Sequence, residues 1–507
     1  MSIKPEAVEN GVHVETRSRL SSGLNLSIVS PDVERHTLRR IDLALMPLIV
    51  ITMGLQYVDK IILNGTAQFG IIEDLHLFEN HGIDPDTSKP VISLHRFSVA
   101  TLIFYWGLLV ATIPASLLAQ KLPIGKFLSS TVIIWGLLTV LTIEVKDYGA
   151  LLALRFCLGI AEAGIGPGVS IFVTMYWKKQ EQPLRYSIWY TATGLGGLLG
   201  SLMLYGMVHI EGSRPPWHYP YIILGSLTMA WGALLLVLLP DNPLTAKFLS
   251  AEQRVIAVER IRTEQTGIED KTFKWDQALE VVTDPKSYLI LAMNFCLHYV
   301  NGAISGFGTI IISSFGFSHF NAVLLTGAVG AMVVVVLIAA GAAGSYFKNS
   351  RLIIYCICEV PVIIGAALIW RMPWQTHRYA AIVGFVLLGS FAASYTMLLA
   401  IAGANTAGHT KKVLTQGIIW STYAICNGVS PLFVKQTEVK SQYSSVFTGT
   451  IVTAVISSAS CILLRFYLQH QNHKRDERYG KPTEDDIQNA RFLDQTDVKN
   501  ERFRYVL

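Results

Sequence analysis

Twelve stretches of this chain are long and apolar enough to cross a bilayer as helices, and no soluble fold buries that many. They lie near 43–64, 94–119, 127–145, 149–174, 186–208, 219–239, 287–311, 321–346, 351–371, 378–404, 413–434 and 445–468, and are called spans 1 to 12. The residues left over cannot make a second kind of protein. Of the 507 residues, 51% are apolar and 15% are charged, where globular chains average about 25% charge. The charges gather at the two ends, in a stretch near 247–286, and in short clusters between apolar runs. Soluble enzymes, fibrous proteins and disordered chains are excluded. The fold class expected is an all-α membrane protein with twelve transmembrane helices.

An even number of spans puts both termini on one side. Lysine and arginine near span ends assign that side. Short loops alone are nearly balanced, nine basic residues against eight. The central loop breaks the tie with Lys247, Arg254, Arg260, Arg262, Lys271, Lys274 and Lys286. Both termini and this loop are therefore expected in the cytosol. The organisation expected is a tail over 1–42, six spans over 43–239, a cytosolic loop over 240–286, six spans over 287–468 and a tail over 469–507. In the loop, Ser250 followed by Gln253 fits a capping box opening a helix to Thr263. The first forty residues are polar with no apolar core behind a basic start, so no cleaved signal peptide is expected. The six cysteines lie inside apolar runs, unlike a disulfide framework or a zinc site. The net charge of +5 is ordinary membrane flank and calls for no nucleic acid. Asn25-Leu-Ser27 and Asn64-Gly-Thr66 match glycosylation acceptors, the first on the cytosolic side and the second tight against span 1.

Ionisable groups at membrane depth are costly and usually face an interior cavity. In span 1, Asp59 and Lys60 could offset each other or sit together at the headgroups. In span 4, Arg155 and Glu162 are seven residues apart and share a helix face. Glu162 near mid-span is a candidate proton carrier; Arg155 could grip a carboxylate with two parallel hydrogen bonds. The alternative is a structural charge pair with other helices. In span 7, Asn294, His298 and Asn301 form one stripe that either lines a cavity opposite span 4 or bonds between helices. Glu359 in span 9 has no evident partner, and packing or snorkelling is expected of it. Gly164 and Gly168, and Gly196 and Gly200, are spaced for close helix contact. The run GLGGLLG has no preceding strand, so it is not a dinucleotide loop.

Six spans on each side of a polar hinge match the two-halved architecture of a major facilitator transporter. Motifs sharpen this. RFCLGIAEAGIGPGVSIFVTMYWKKQEQPLR (155–185), LPDNPLTAKFLSAEQRVIAVERIR (239–262), FKWDQALEVVTDPKSY (273–288), NGAISGFGTIIISSFGF (301–317) and AGHTKK (407–412) resemble, in order, the fungal anion:cation symporters of the allantoate permease group. YWGLLVATIPASLLAQKLPIGKF (105–127) is similar to the family's span 2 and following loop. The resemblance implies two six-helix halves and uptake of a small organic anion, usually with protons. Substrate classes in that group include allantoate, ureidosuccinate, nicotinate, pantothenate and biotin-like carboxylates. Asp59 matches the acid of the family's span-1 Asp-Arg pair, with Lys60 in place of arginine. Arg155 and Gly159 match a span-4 arginine-glycine motif, and Glu162 matches the family's span-4 acid. Thr112, Gln120, LLTGAVGA in span 8 and CNGVSPLF in span 11 depart from the pattern, which leaves the substrate and the direction of transport open.

The mechanism expected is alternating access in a plasma-membrane monomer. An organic anion binds Arg155, Asn294, His298 and Asn301, while Glu162 or Asp59 carries the coupling proton. No cofactor and no metal are expected. The rivals are an exporter of a carboxylated natural product on the same scaffold and a non-transporting nutrient sensor. A membrane enzyme is disfavoured, since no metal-ligand cluster or activated nucleophile is visible.

Overall fold

The computed structural model describes residues 31–67, 70–83, 90–178, 180–207, 210, 212–262, 273–317, 319–434, 436–481 and 495–507. The Asn25 motif and Lys89, Lys179, Lys271 and Lys435, which entered the loop-charge count, lie outside the described residues.

All twelve spans are helical. Span 1 runs Pro31–Thr66, span 2 His95–Lys121, span 3 Ile124–Leu141 and span 4 Tyr148–Glu162 followed by Ile165–Tyr176. Span 5 is Gln182–Met207 and span 6 His218–Leu238. Spans 7 to 9 are Pro285–Ser314, His319–Tyr346 and Arg351–Arg371. Span 10 is Trp374–Leu388 followed by Phe391–Ala404, span 11 is His409–Val429, and span 12 is Ser444–Tyr479. Among the described residues, ten helices are long and apolar enough to cross a membrane by length and composition. Spans 5 and 11 are long enough but richer in Gly, Ser, Thr and Gln, as befits helices packed against protein.

Spans 4 and 10 cross as expected, each tightening into a 3₁₀-like turn, at Ala163–Gly164 and at Gly389–Ser390, where the backbone stays right-handed helical. They hold corresponding places, fourth in each half. Span 12 continues beyond the expected 468 to Tyr479, because a polar helix can extend into water past the bilayer. On the far side, opposite the chain ends, Glu79–Ile83 pairs antiparallel with Pro90–Ser93 in a hairpin that the apolar pattern did not reveal.

Packing follows the small residues. Gly196 lies against the Gly54 carbonyl and Gly200 against Val58, while Gly164 and Gly168 meet Phe127 and Leu128 of span 3. Spans 5 and 8, and spans 2 and 11, join the two halves. Large apolar side chains such as Leu137, Val237, Ile357 and Leu463 point outward, as lipid contact requires.

The side bearing the chain ends, here the tail side, is tied by charge. Asp42 of span 1 accepts hydrogen bonds from Arg185 at 2.7 Å and from the Trp177 indole at 2.7 Å. The central helix Ala251–Arg262 opens with the expected capping box: Ser250 Oγ accepts from Gln253 N at 3.2 Å, and Gln253 Oε1 from Ser250 N at 3.1 Å. Its Arg260 reaches Glu34 at 3.3 Å and also pairs with Glu181. Residues 495–507 pack back on the second half. Buried Asp497 meets Lys286 at 2.5 Å and Lys411 at 3.0 Å, and the Asn405 side chain exchanges two hydrogen bonds of 2.7 Å with the Val506 backbone.

Candidate functional site

A cavity of about 390 Å³ lies between the halves. It is walled by spans 1, 5, 7, 8, 10 and 11 from about mid-helix toward the far side, with Tyr190, Phe391 and Ala392 at its tail-side end. One wall exists because two glycines meet: a Cβ on Gly194 would lie 2.4 Å from the Gly330 carbonyl oxygen, and one on Gly330 would lie 2.5 Å from that of Gly194. Spans 5 and 8 therefore touch backbone to backbone there.

The expected site residues divide. Asn301 lines the cavity and donates to Asn427 Oδ1 at 2.8 Å. Arg155 is buried and opens onto a constriction of about 20 Å³ that shares Tyr57, Lys60, Ile61, Asn64, Asn301, Ser305 and Tyr423 with the main cavity. Its guanidinium lies 5.4 Å from the Phe104 ring centre, and its Nε has no hydrogen-bond partner. Asn294 and His298 do not line the cavity. Asn294 donates to the Ile419 carbonyl at 2.7 Å, joining spans 7 and 11, while His298 Nδ1 lies 2.8 Å from the Asn294 carbonyl one turn back on the same helix and its Nε2 is buried without a hydrogen-bond partner. Glu162 also sits off the cavity wall, at the end of the first helix of span 4; one carboxylate oxygen accepts from Gln56 at 2.9 Å and the other is unpaired. Asp59 accepts from Thr139 at 2.8 Å, and its second oxygen is likewise buried without a partner. Glu359 is buried in the second half beside Ser394, a packing role rather than a lipid-facing one.

Asp59 and Lys60 do not offset each other. Neighbours on a helix point about 100° apart and cannot pair. Asp59 turns toward span 3, while Lys60 turns into the cavity, with Nζ 3.5 Å from the Tyr423 hydroxyl and 5.5 Å from that ring's centre. Among the described residues no carboxylate forms a salt bridge with Lys60 or Arg155. Asn64 also belongs inside: its amide donates to the Ser305 carbonyl at 2.6 Å, joining spans 1 and 7.

Sequence reasoning missed the cavity floor. At the tail-side end of the cavity, the lining residues Tyr190 and Tyr423 join a layer of rings. Tyr395 is 5.1 Å from Tyr190, 4.6 Å from His298 and 5.9 Å from Trp420, and Trp420 is 5.3 Å from Tyr423. Below it Ser187 bonds Thr396 at 3.2 Å, and the Leu184 amide bonds Ser345 at 3.2 Å, closing the tail side across the halves. Aromatic residues scattered over four spans carry no sequence periodicity that would announce a layer. Among the described residues no cluster of three ligating side chains occurs.

Comparison with known proteins places the fold. Residues 49–431 match the Major Facilitator Superfamily model. The chain is 33% identical to an uncharacterised transporter of Schizosaccharomyces pombe, over 93% of this chain and 87% of that one. It is 28% identical to the allantoate permease of Saccharomyces cerevisiae, over 94% of this chain and 88% of that one. The structure of the proton:xylose symporter XylE bound to 6-bromo-6-deoxy-D-glucose superposes with a TM-score of 0.66, covering 86% of this chain and 96% of that one at 12% identity. The chain belongs to the major facilitator superfamily: it is a multi-pass membrane transporter of small molecules, not an enzyme.

Proposed function

Starting from that membership, we propose that the chain carries a small carboxylate across the membrane with protons, by alternating access. The observation that carries this reading is the pair of cations at the cavity, Lys60 on the wall and Arg155 in the constriction, neither salt-bridged to a carboxylate of the protein. Asp59 and Glu162 lie near enough to act on these cations electrostatically without touching them, so the direct carboxylate contact is left for a substrate to supply. Asn301 and Asn64 offer amide groups beside it. The unpaired oxygens of Glu162 and Asp59 support a proton role for this pair, because a carboxylate held away from water binds a proton readily and releases it when a cation approaches. A proton taken there offsets the anion's charge as the halves rock.

The orientation that fits the basic central loop puts the tail side in the cytosol of a plasma-membrane protein. The closed aromatic floor then makes this the outward half of the cycle. Likeness to the allantoate permease supports a carboxylate as cargo. Arg155→Ala is expected to abolish carboxylate uptake in cells while surface expression persists, since truncating one partner of a buried charge pair costs about 2–5 kcal/mol. Undiminished uptake by that variant would remove Arg155 from the site.

A further inference from the structure

The cavity is polar at one end and apolar at the other. The positive charge is confined to the corner where the 20 Å³ constriction leaves the main chamber, between Lys60 and Arg155. That constriction holds one water-sized group, so it admits one oxygen of a carboxylate whose other oxygen stays in the main chamber beside Lys60. Away from this corner no charged side chain lines the chamber. Val329 and Val333 of span 8 and Phe385, Phe391 and Ala392 of span 10 dominate the facing wall, with Tyr190 at its base; of the hydroxyls beside it, Thr326 lies one turn from Val329 and Thr193 donates back to the Tyr190 carbonyl. The Gly194–Gly330 contact keeps that wall flat. The volume of about 390 Å³ suits on the order of a dozen non-hydrogen atoms at liquid-like density of about 30 Å³ each.

We propose that the preferred cargo is an amphipathic monocarboxylate: one carboxylate seated between Lys60 and Arg155, and an apolar, ring-bearing body lying against the Val333–Phe391 wall. This rests on the reading of the chain as a carboxylate carrier and narrows it. A second carboxylate at the far end of the cargo would lie against valine and phenylalanine with no cation or amide donor, and its desolvation is uncompensated. A heavily hydroxylated body would lose its water hydrogen bonds on the same wall. A flat ring instead meets Phe391 and Tyr190, where offset or edge-on ring contacts add to apolar burial.

The test uses the full-length chain in detergent, with binding read by isothermal titration of three probes: 3-phenylpropionate, its uncharged amide and succinate. Tighter binding of 3-phenylpropionate than of succinate by at least tenfold is expected, with the amide weaker than the acid. Succinate binding as tightly as 3-phenylpropionate would overturn the amphipathic assignment and leave the carboxylate reading standing. Failure of both acids to bind would overturn that reading too. Two variants localise the ends. Lys60→Gln is expected to erase the preference for acid over amide, and Val333→Asn to lower the ratio of 3-phenylpropionate to succinate affinity. If both folded variants kept the wild-type ratios, the two-ended arrangement would be refuted.

Discussion

At the residue scale, the sequence made span 4 legible because an arginine and a glutamate inside an apolar run have few bland explanations. It could not say which groups face substrate. Arg155 and Glu162 share a face, yet Arg155 opens on the constriction while Glu162 bonds Gln56 off the cavity wall. Lys60 shows the reverse error: adjacency suggested that Asp59 offsets it, but helix geometry sends the two apart and leaves the ammonium as the charge in the main chamber. The separation suggests a division of labour in which cations hold the anion and carboxylates hold the proton. Glu162→Gln is accordingly expected to keep anion binding but to flatten the dependence of uptake on external pH. An unchanged pH profile in reconstituted vesicles would exclude Glu162 as the coupling group. Lys60→Gln is expected to weaken anion binding by about 2–5 kcal/mol, read as an increase in KM for uptake.

At the element scale, hydropathy placed the helices well because a bilayer imposes their length. It could not show the 3₁₀-like tightening near Gly164 and Gly389, since a change of helical hydrogen-bond spacing leaves hydropathy unchanged. Glycine spacing carried more information than hydropathy at the contacts between helices. Spans 2 and 4 cross so closely that a Cβ on Gly159 would lie 2.0 Å from the Phe104 carbonyl oxygen, and one on Gly107 would lie 2.1 Å from that of Phe156. The obstacle on each side is backbone, which cannot rotate away. Gly159→Val is therefore expected to separate the helices and to destabilise the fold by about 1–3 kcal/mol or more. Gly206→Ala, where nothing lies within 4 Å, is expected to be near neutral. Thermal unfolding in detergent measures both, and equal midpoints for the two variants would contradict the packing argument.

At the scale of the whole molecule, the two six-helix halves followed from the polar hinge, but long-range ties did not. Asp497 lies far along the chain from Lys286 and in a charged segment that reads as solvated tail, yet it is buried between Lys286 and Lys411. Burial alone would raise its pKa; the two ammonium groups outweigh this and hold it below the ordinary carboxylate range. A carboxyl with a depressed folded-state pKa stabilises the fold fully above its unfolded value, about 4, and that contribution is lost as pH falls through the folded value. Asp497→Asn is thus expected to destabilise the tail-side end of the second half near neutral pH by about 3–5 kcal/mol, and to lose less than wild type on acidification. Equal acid sensitivity of the two proteins would contradict this. The central claim, that an anion crosses the membrane through the Lys60–Arg155 cavity with a proton, is tested most directly by vesicles containing purified protein, a labelled ring-bearing monocarboxylate and an imposed proton gradient. The account expects accumulation driven by the gradient in wild type and none in correctly inserted Arg155→Ala. Accumulation that is equal in the two proteins, or indifferent to the gradient, would contradict it.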